Sequence, residues 1–231
     1  IEIPETIDNM PVTEIAEQAF LESPITAVKI GKNIREIGEL AFGVCKKLKS
    51  VTWNHKCDVV PAFCFSECSN LTKFDFSNVK KIGLYAFYKS GLKEVCLPEN
   101  IEVVSGWAFF ECKKLSSVIW NCKCNVIPVD CFARCSDLTQ FDFSNIKRIE
   151  VRAFRDSGLT SVTLNEETEV GECCFSNCND LEKIEWLSGQ AIKDSIFAGC
   201  KNIKEIFISD RVMDIAVDAF SSSPNAEISF I

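Results

Sequence analysis

The stretch Ile37-Gly38-Glu39-Leu40-Ala41-Phe42-Gly43-Val44-Cys45-Lys46-Lys47-Leu48-Lys49-Ser50-Val51-Thr52-Trp53 decides the fold, because its spacing recurs along the whole chain. Phe42 is one of ten anchors, Phe20, Phe42, Phe65, Phe87, Phe109, Phe132, Phe154, Phe175, Phe197 and Phe220, at steps of 21 to 23 residues. Five residues before each stands an Ile or Val, from Ile15 to Ile215, and the residue just before it is Ala or Cys, Ile196 excepted. Three residues after each comes a Ser or Cys, as at Ser23, Cys45, Ser90 and Cys112. A fixed period of this length marks an array of units that bury their apolar residues only when stacked.

Within a unit, apolar residues return after the Ser/Cys position as in Leu48, Val51 and Trp53, or Leu115, Val118 and Trp120. The last two are spaced by two, which predicts a short strand with one face inward. The stretch from the Ile/Val column to the Ser/Cys column spaces its apolar members at helical intervals, as in Ile37, Ala41, Phe42 and Cys45. It predicts a tight helical or 3₁₀ turn leading back to the next strand. The Ser/Cys choice is coupled to loop length: Cys45 is separated by two polar residues from Leu48, whereas Ser90 and Ser157 are followed by a single Gly and then Leu92 and Leu159. A longer echo overlies this period. Residues 45–98 recur at 112–165, offset by 67, with more than half of the positions identical.

The chain has 231 residues, of which 47% are apolar, enough to bury a core. Its net charge of −8 argues against sequence-independent binding to nucleic acid or to an anionic membrane, both of which reward a basic face. No apolar run reaches the ~20 residues that span a bilayer, so membrane insertion of this segment is not expected. The opening Ile1-Glu2-Ile3-Pro4 lacks the basic and apolar regions of a signal peptide, and the absence of an initiator Met reads as a processed or excised piece of a longer protein.

The pattern Ile/Val-x-x-x-Ala-Phe-x-x-Cys/Ser-x-x-Leu-x-x-Val-x-Ile/Leu resembles the BspA-type leucine-rich repeat, and the segment from Ile3 to Ile15 resembles the start of that family's first repeat. The resemblance covers essentially the whole chain. It implies an α/β leucine-rich-repeat solenoid, residues 1–231 as one domain, with a parallel sheet and a right-handed, curved superhelix. It also implies a surface or secreted protein of microbes, acting as an adhesin on host or microbial proteins. Departures from the pattern are the eighth unit, one residue short around Glu169-Val170-Gly171-Glu172, Ile196, and a last unit that ends at Phe230-Ile231.

Fourteen cysteines invite a metal or disulfide reading, but most fall in repeat columns. Cys45, Cys68, Cys112, Cys135, Cys178 and Cys200 fill the small-residue column; Cys64, Cys131 and Cys174 replace the Ala before Phe; Cys57 and Cys124 stand where other units carry Val or Ile. They read as small buried hydrophobes. Zinc needs four converging ligands, and the chain has a single His, so no metal or other cofactor is expected. Column cysteines stacked in register lie near the ~4.8 Å strand spacing, beyond the usual ~3.5–4.5 Å Cβ window for a disulfide. Cys122 and Cys124, if extended, point to opposite faces. Mostly free thiols are therefore expected, with Cys96, Cys122 and Cys173 as the non-column residues open to exposure. His55 aligns with Cys122 in the copied block and reads as a loop residue rather than a base. The Asn70-Leu71-Thr72 sequon has its Leu at a core position.

Outward residues of the main strand carry no core duty, so recognition is expected there. The candidates are Thr52, Asp75, Ile119, Asp142, Thr163, Glu185 and Phe207, among which Ile119 and Phe207 are apolar where the sheet faces water. The expected function is a non-catalytic protein-binding repeat domain; a structural spacer without a tight ligand is the second reading. The column assignment makes a direct prediction. Phe109→Ala should cost ~3–5 kcal/mol as the truncation of a buried aromatic, and Thr163→Ala should cost little; equal small effects in urea unfolding would contradict the register.

Overall fold

A computed structural model describes residues 1–54 and 56–231; the His55 reading lies outside the described residues. The chain forms two compact bodies, Ile1–Cys124 and Asn125–Ile231. In the first, the strands are β1 (Thr6–Ile7), β2 (Met10–Pro11), β3 (Glu14–Ile15), β4 (Ala27–Lys29), β5 (Glu36–Ile37), β6 (Ser50–Thr52), β7 (Val59–Val60), β8 (Lys81–Ile82), β9 (Glu94–Leu97), β10 (Val103–Val104) and β11 (Ser117–Trp120). The second carries β12 (Val126–Ile127), β13 (Arg148–Ile149), β14 (Ser161–Leu164), β15 (Glu169–Val170), β16 (Lys183–Trp186), β17 (Glu205–Ile208) and β18 (Glu227–Phe230).

The repeats build two sets of parallel ladders. The main one pairs β4 with β6 and β9 with β11 in the first body, and runs β14-β16-β17-β18 in the second. The minor one pairs β3 with β5 and runs β7-β8-β10, then β12-β13-β15 in the second body. Its buried member is the Ile/Val column, as at Val60, Ile82 and Ile149. The only antiparallel pair among the described residues is the β1–β2 hairpin at the first repeat.

The phenylalanine column fills the space between the ladders. In the first body Phe20, Phe42, Phe65, Phe87 and Phe109 stack with centroids 5.4 to 5.6 Å apart. In the second, Phe132, Phe154, Phe175, Phe197 and Phe220 do so at 5.5 to 5.8 Å. The eight rings from Phe42 to Phe197 are fully buried. Column cysteines stay as thiols and find a partner one repeat back: Cys45 Sγ donates to the Phe20 carbonyl at 3.0 Å, Cys68 to Phe42 at 3.1 Å and Cys112 to Phe87 at 3.0 Å.

The expected helical turn is not there: no helix or 3₁₀ segment occurs among the described residues. Around each Phe the chain makes chained i→i+3 turns instead, Ala19 N–H to the Ala16 carbonyl, Leu21 to Gln18 and Ser23 to Phe20. The intervening amides of Gln18, Phe20 and Glu22 donate to Glu39, Ala41 and Gly43 of the next repeat. This pattern requires a left-handed residue two positions before and two after the Phe. Gln18 and Glu22 both have φ of 58°, and the pairs Leu40/Val44, Phe63/Glu67 and Tyr85/Lys89 repeat it. An α-helix needs negative φ throughout and sends its amides back along the same chain. The helical spacing of the apolar residues was real, and inter-repeat hydrogen bonding outcompeted the helix.

Two segments depart from the main ladder. Asp75 and Asp142, expected on the strand face, are exposed but lie in stretches that form no strand. Their carboxylates accept the Ser77 and Ser144 amides at 3.0 and 2.9 Å, a local turn that competes with ladder pairing. At the shortened eighth repeat the side chain of Gln190 stands in for a neighbouring backbone. Its Oε1 accepts the Val170 amide at 2.6 Å and its Nε2 donates to the Val170 carbonyl at 2.9 Å.

The Ser-Gly-Leu loops have a steric cause. A Cβ on Gly91 would sit 2.3 Å from the Ser69 carbonyl oxygen and one on Gly158 2.0 Å from that of Ser136. A Cβ on Gly189, by contrast, would meet nothing closer than Arg211 at 4.0 Å. Gly158→Ala should therefore cost ~1–3 kcal/mol or more through overpacking, while Gly189→Ala should be close to neutral in the same unfolding assay. Glu22 is exposed and left-handed, so Glu22→Gly should raise stability by up to ~1 kcal/mol, the relief of Cβ strain less the entropy of glycine.

Candidate functional site

Pairing in register places the outward residues of successive main strands beside one another, which is what turns a sequence column into a surface. In the second body Thr163, Glu185 and Phe207 are consecutive ladder partners. Thr163 Oγ1 donates to Glu185 Oε2 at 3.1 Å, and Lys183 Nζ lies 2.8 Å from Glu185 Oε1 and 5.1 Å from the Phe207 ring centroid. The hydrogen bond from Lys183 holds the Glu185 carboxyl below its ordinary pKa. Phe207 is half-buried under that ammonium rather than freely exposed. Asp142 belongs to the same body, its carboxyl held low by the Ser144 amide. Asp142 and Thr163 line a shallow recess with Phe141, Phe143 and Asn165.

In the first body Thr52 pairs with Lys29, and Ile119 pairs with Cys96. Ile119 is 48% exposed beside the exposed Cys96 thiol, an apolar spot on an otherwise polar column. Of the candidates, the structure brings Thr163, Glu185 and Phe207 together in one ladder; Thr52 and Ile119 lie in separate two-stranded sheets, and Asp75 and Asp142 in stretches that form no strand.

A second surface was not anticipated. On the turn side of the first body, Phe63, Tyr85 and Trp107 stack at 5.0 and 5.3 Å, all half-buried. Beside them Tyr88 stacks on Phe110 at 5.7 Å, with Lys89 Nζ 4.9 Å from the Tyr88 centroid. The left-handed turn explains why. Residues two before and one after the anchor are turned away from the Phe ladder, so aromatic rings at those positions meet their counterparts in the next repeat. In the second body the equivalent column holds Asp130 and Arg152, which form an ion pair at 2.9 Å. The sequence signal was a further pair of aromatic columns, hidden because a helical turn would have assigned them to solvent.

The cysteines largely stay free, and twelve are thiols. Burial pushes the Cys57 thiol up to about 11 and Cys112 up to about 12. Cys122 and Cys124 overturn the expectation for their segment: they form a disulfide, with Cα atoms 5.2 Å apart. The backbone bends at Cys122 and Lys123 instead of running extended, which brings both side chains to one side. Asn70, within the sequon, is exposed and donates its side-chain amide to the Lys46 carbonyl at 2.7 Å.

No helix among the described residues is long and apolar enough to cross a membrane. No curated protein matches the chain. Among solved structures, a leucine-rich repeat protein from Bacteroides ovatus ATCC 8483 matches with a TM-score of 0.76 at 22% identity, over 98% of this chain and 73% of that one. One from Eubacterium ventriosum ATCC 27560 gives 0.57 at 15% identity, over 96% and 71%. The pneumococcal vaccine antigen PcpA gives 0.59 at 14% identity, over 97% and 67%. These likenesses establish a shared fold. The profile of the BspA type leucine-rich repeat region (6 copies) matches residues 1–116, 60–182 and 125–231, and the chain therefore belongs to the BspA-type leucine-rich repeat family.

Proposed function

We propose that residues 1–231 form one protein-binding repeat domain of a microbial cell-surface or secreted protein, which recognises a host or microbial protein through side chains of the main strand face. The observation that carries this reading is the in-register outward column. Its continuous part is Thr163, Glu185 and Phe207 in the second body; Thr52 and Ile119 face outward from separate paired strands of the first, and Asp75 and Asp142 are exposed in stretches that form no strand. Family membership supports a repeat domain for interaction or scaffolding, and the surface location rests on resemblance alone. The reading is non-catalytic because the outward columns hold no nucleophile with an oriented base. A net charge of −8 speaks against a nucleic-acid partner.

The test uses a panel of purified extracellular-matrix and microbial surface proteins, with the wild-type chain compared with an Ile119→Glu/Phe207→Glu variant of matched unfolding midpoint. A partner whose affinity falls at least ~10-fold in the variant, the loss of ~1.4 kcal/mol expected for apolar anchors, supports the strand face. A partner lost instead on Tyr85→Ala/Trp107→Ala would move recognition to the aromatic turn surface and contradict the proposal. Binding to no member of the panel would favour a spacer.

A further inference from the structure

The internal copy supplies two versions of one loop, Trp53 to Cys57 and Trp120 to Cys124, separated by 67 positions. Both share a clip. Trp53 Nε1 donates to the Cys57 carbonyl at 2.6 Å, and Trp120 Nε1 donates to the Cys124 carbonyl at 2.7 Å. The destination of the thiol differs. Cys57 is buried and its Sγ donates to the Ile34 carbonyl at 3.4 Å. Cys124 is half-buried and bonded to Cys122. The fastening of the loop differs as well. Asn54 is buried and its amide ties the first loop to the Gly31 and Ile34 carbonyls at 2.7 and 2.9 Å, whereas Asn121 is exposed.

A disulfide that encloses a single residue constrains the unfolded chain very little, so it has a weak claim to a structural role. It is also the one disulfide among the described residues, and its two sulfurs belong to part-exposed residues, with the exposed Lys123 between them. Exposed disulfides are the labile ones, and a neighbouring ammonium favours the attacking thiolate. The thiols of Cys57, Cys68, Cys112 and Cys174 are withheld from this chemistry, as burial raises each well above an ordinary thiol.

We propose that Cys122-Lys123-Cys124 is a thiol–disulfide exchange site, opened and closed by low-molecular-weight thiols and disulfides of the glutathione class. Its reduced form returns the Cys124 thiol to the buried position that Cys57 occupies in the first copy. In the closing direction a thiolate of the pair attacks the small disulfide, breaks its S–S bond and releases one small thiol. The second cysteine then attacks the mixed disulfide and releases another. The two protein sulfurs lose two electrons in total, and their two protons leave on the two small thiols. The Trp120 clip, shared by both copies, holds the Cys124 carbonyl through the change, which is confined to the loop from Asn121 to Cys124.

The test holds the folded chain in oxidised or reduced glutathione, alkylates it without denaturant, digests it with trypsin and maps the peptides. Trypsin cuts after Lys123, so the disulfide links two peptides. Linkage in oxidised glutathione, loss of linkage with alkylation of Cys122 in reduced glutathione, and recovery on return are expected, with Cys57 and Cys112 unmodified throughout. In Cys122→Ser, Cys124 should alkylate at least roughly 10-fold more slowly than the exposed Cys96, as a desolvated thiol does. Absence of linkage in oxidised glutathione, or linkage that persists in reduced glutathione, overturns the exchange site. Alkylation of Cys124 in Cys122→Ser as fast as Cys96 overturns the tucked reduced state. Near-ultraviolet circular dichroism verifies that each sample is folded.

Discussion

Half of the amides in a turn such as that around Phe20 have no partner until the next repeat is laid against them. Gln18, Phe20 and Glu22 donate forward to Glu39, Ala41 and Gly43, while the amides between them close turns within their own repeat. Unpaired backbone groups next to a buried phenylalanine would be costly, so stacking is required by hydrogen bonding as much as by the apolar core. This requirement accounts for the left-handed residues that flank the anchors from Phe20 to Phe175, a strain that L-residues accept only where the surroundings over-determine it. It also accounts for the cysteine column, whose thiols occupy the carbonyls of the anchors one repeat back.

The same constraint distributes the surfaces. The main ladder leaves alternate strand residues, such as Ser161 and Thr163, free of core duty, while the turn throws a second set of side chains to the opposite side of the anchor. In the first body that second set is aromatic, and in the second its equivalent includes the Asp130–Arg152 pair. The copied block therefore kept its core and changed its exterior, since Phe65 and Phe132 are equally buried while Phe63 became Asp130.

Periodicity made the repeat, the two strand positions and the buried anchors legible, because burial on one side of a short strand leaves a period of two. The turn is not legible in the spacing, for a physical reason. Ile37, Ala41, Phe42 and Cys45 share a helical face on paper, but their spacing cannot register that Leu40 and Val44 adopt positive φ to serve the next repeat. Asp75 and Asp142 are exposed but not on strands, since a side-chain-to-backbone bond two residues long is invisible to hydrophobic pattern. Ile119 emerged as exposed, whereas Phe207 is partly covered by Lys183, a partner contributed by the neighbouring strand. The Cys122–Cys124 bond depended on a bend at Lys123 that no column contains.

Native-state hydrogen exchange of the turn amides tests the stacking constraint most directly. The Phe42, Phe65 and Phe87 amides donate to Cys64, Ala86 and Ala108 of the following repeat. They should exchange only on unfolding of the whole first body, with the same protection as the strand amide of the buried Val95 in β9, which faces β11. Exchange of these turn amides through local opening, far faster than Val95, would show that the turns are self-contained and would contradict the account.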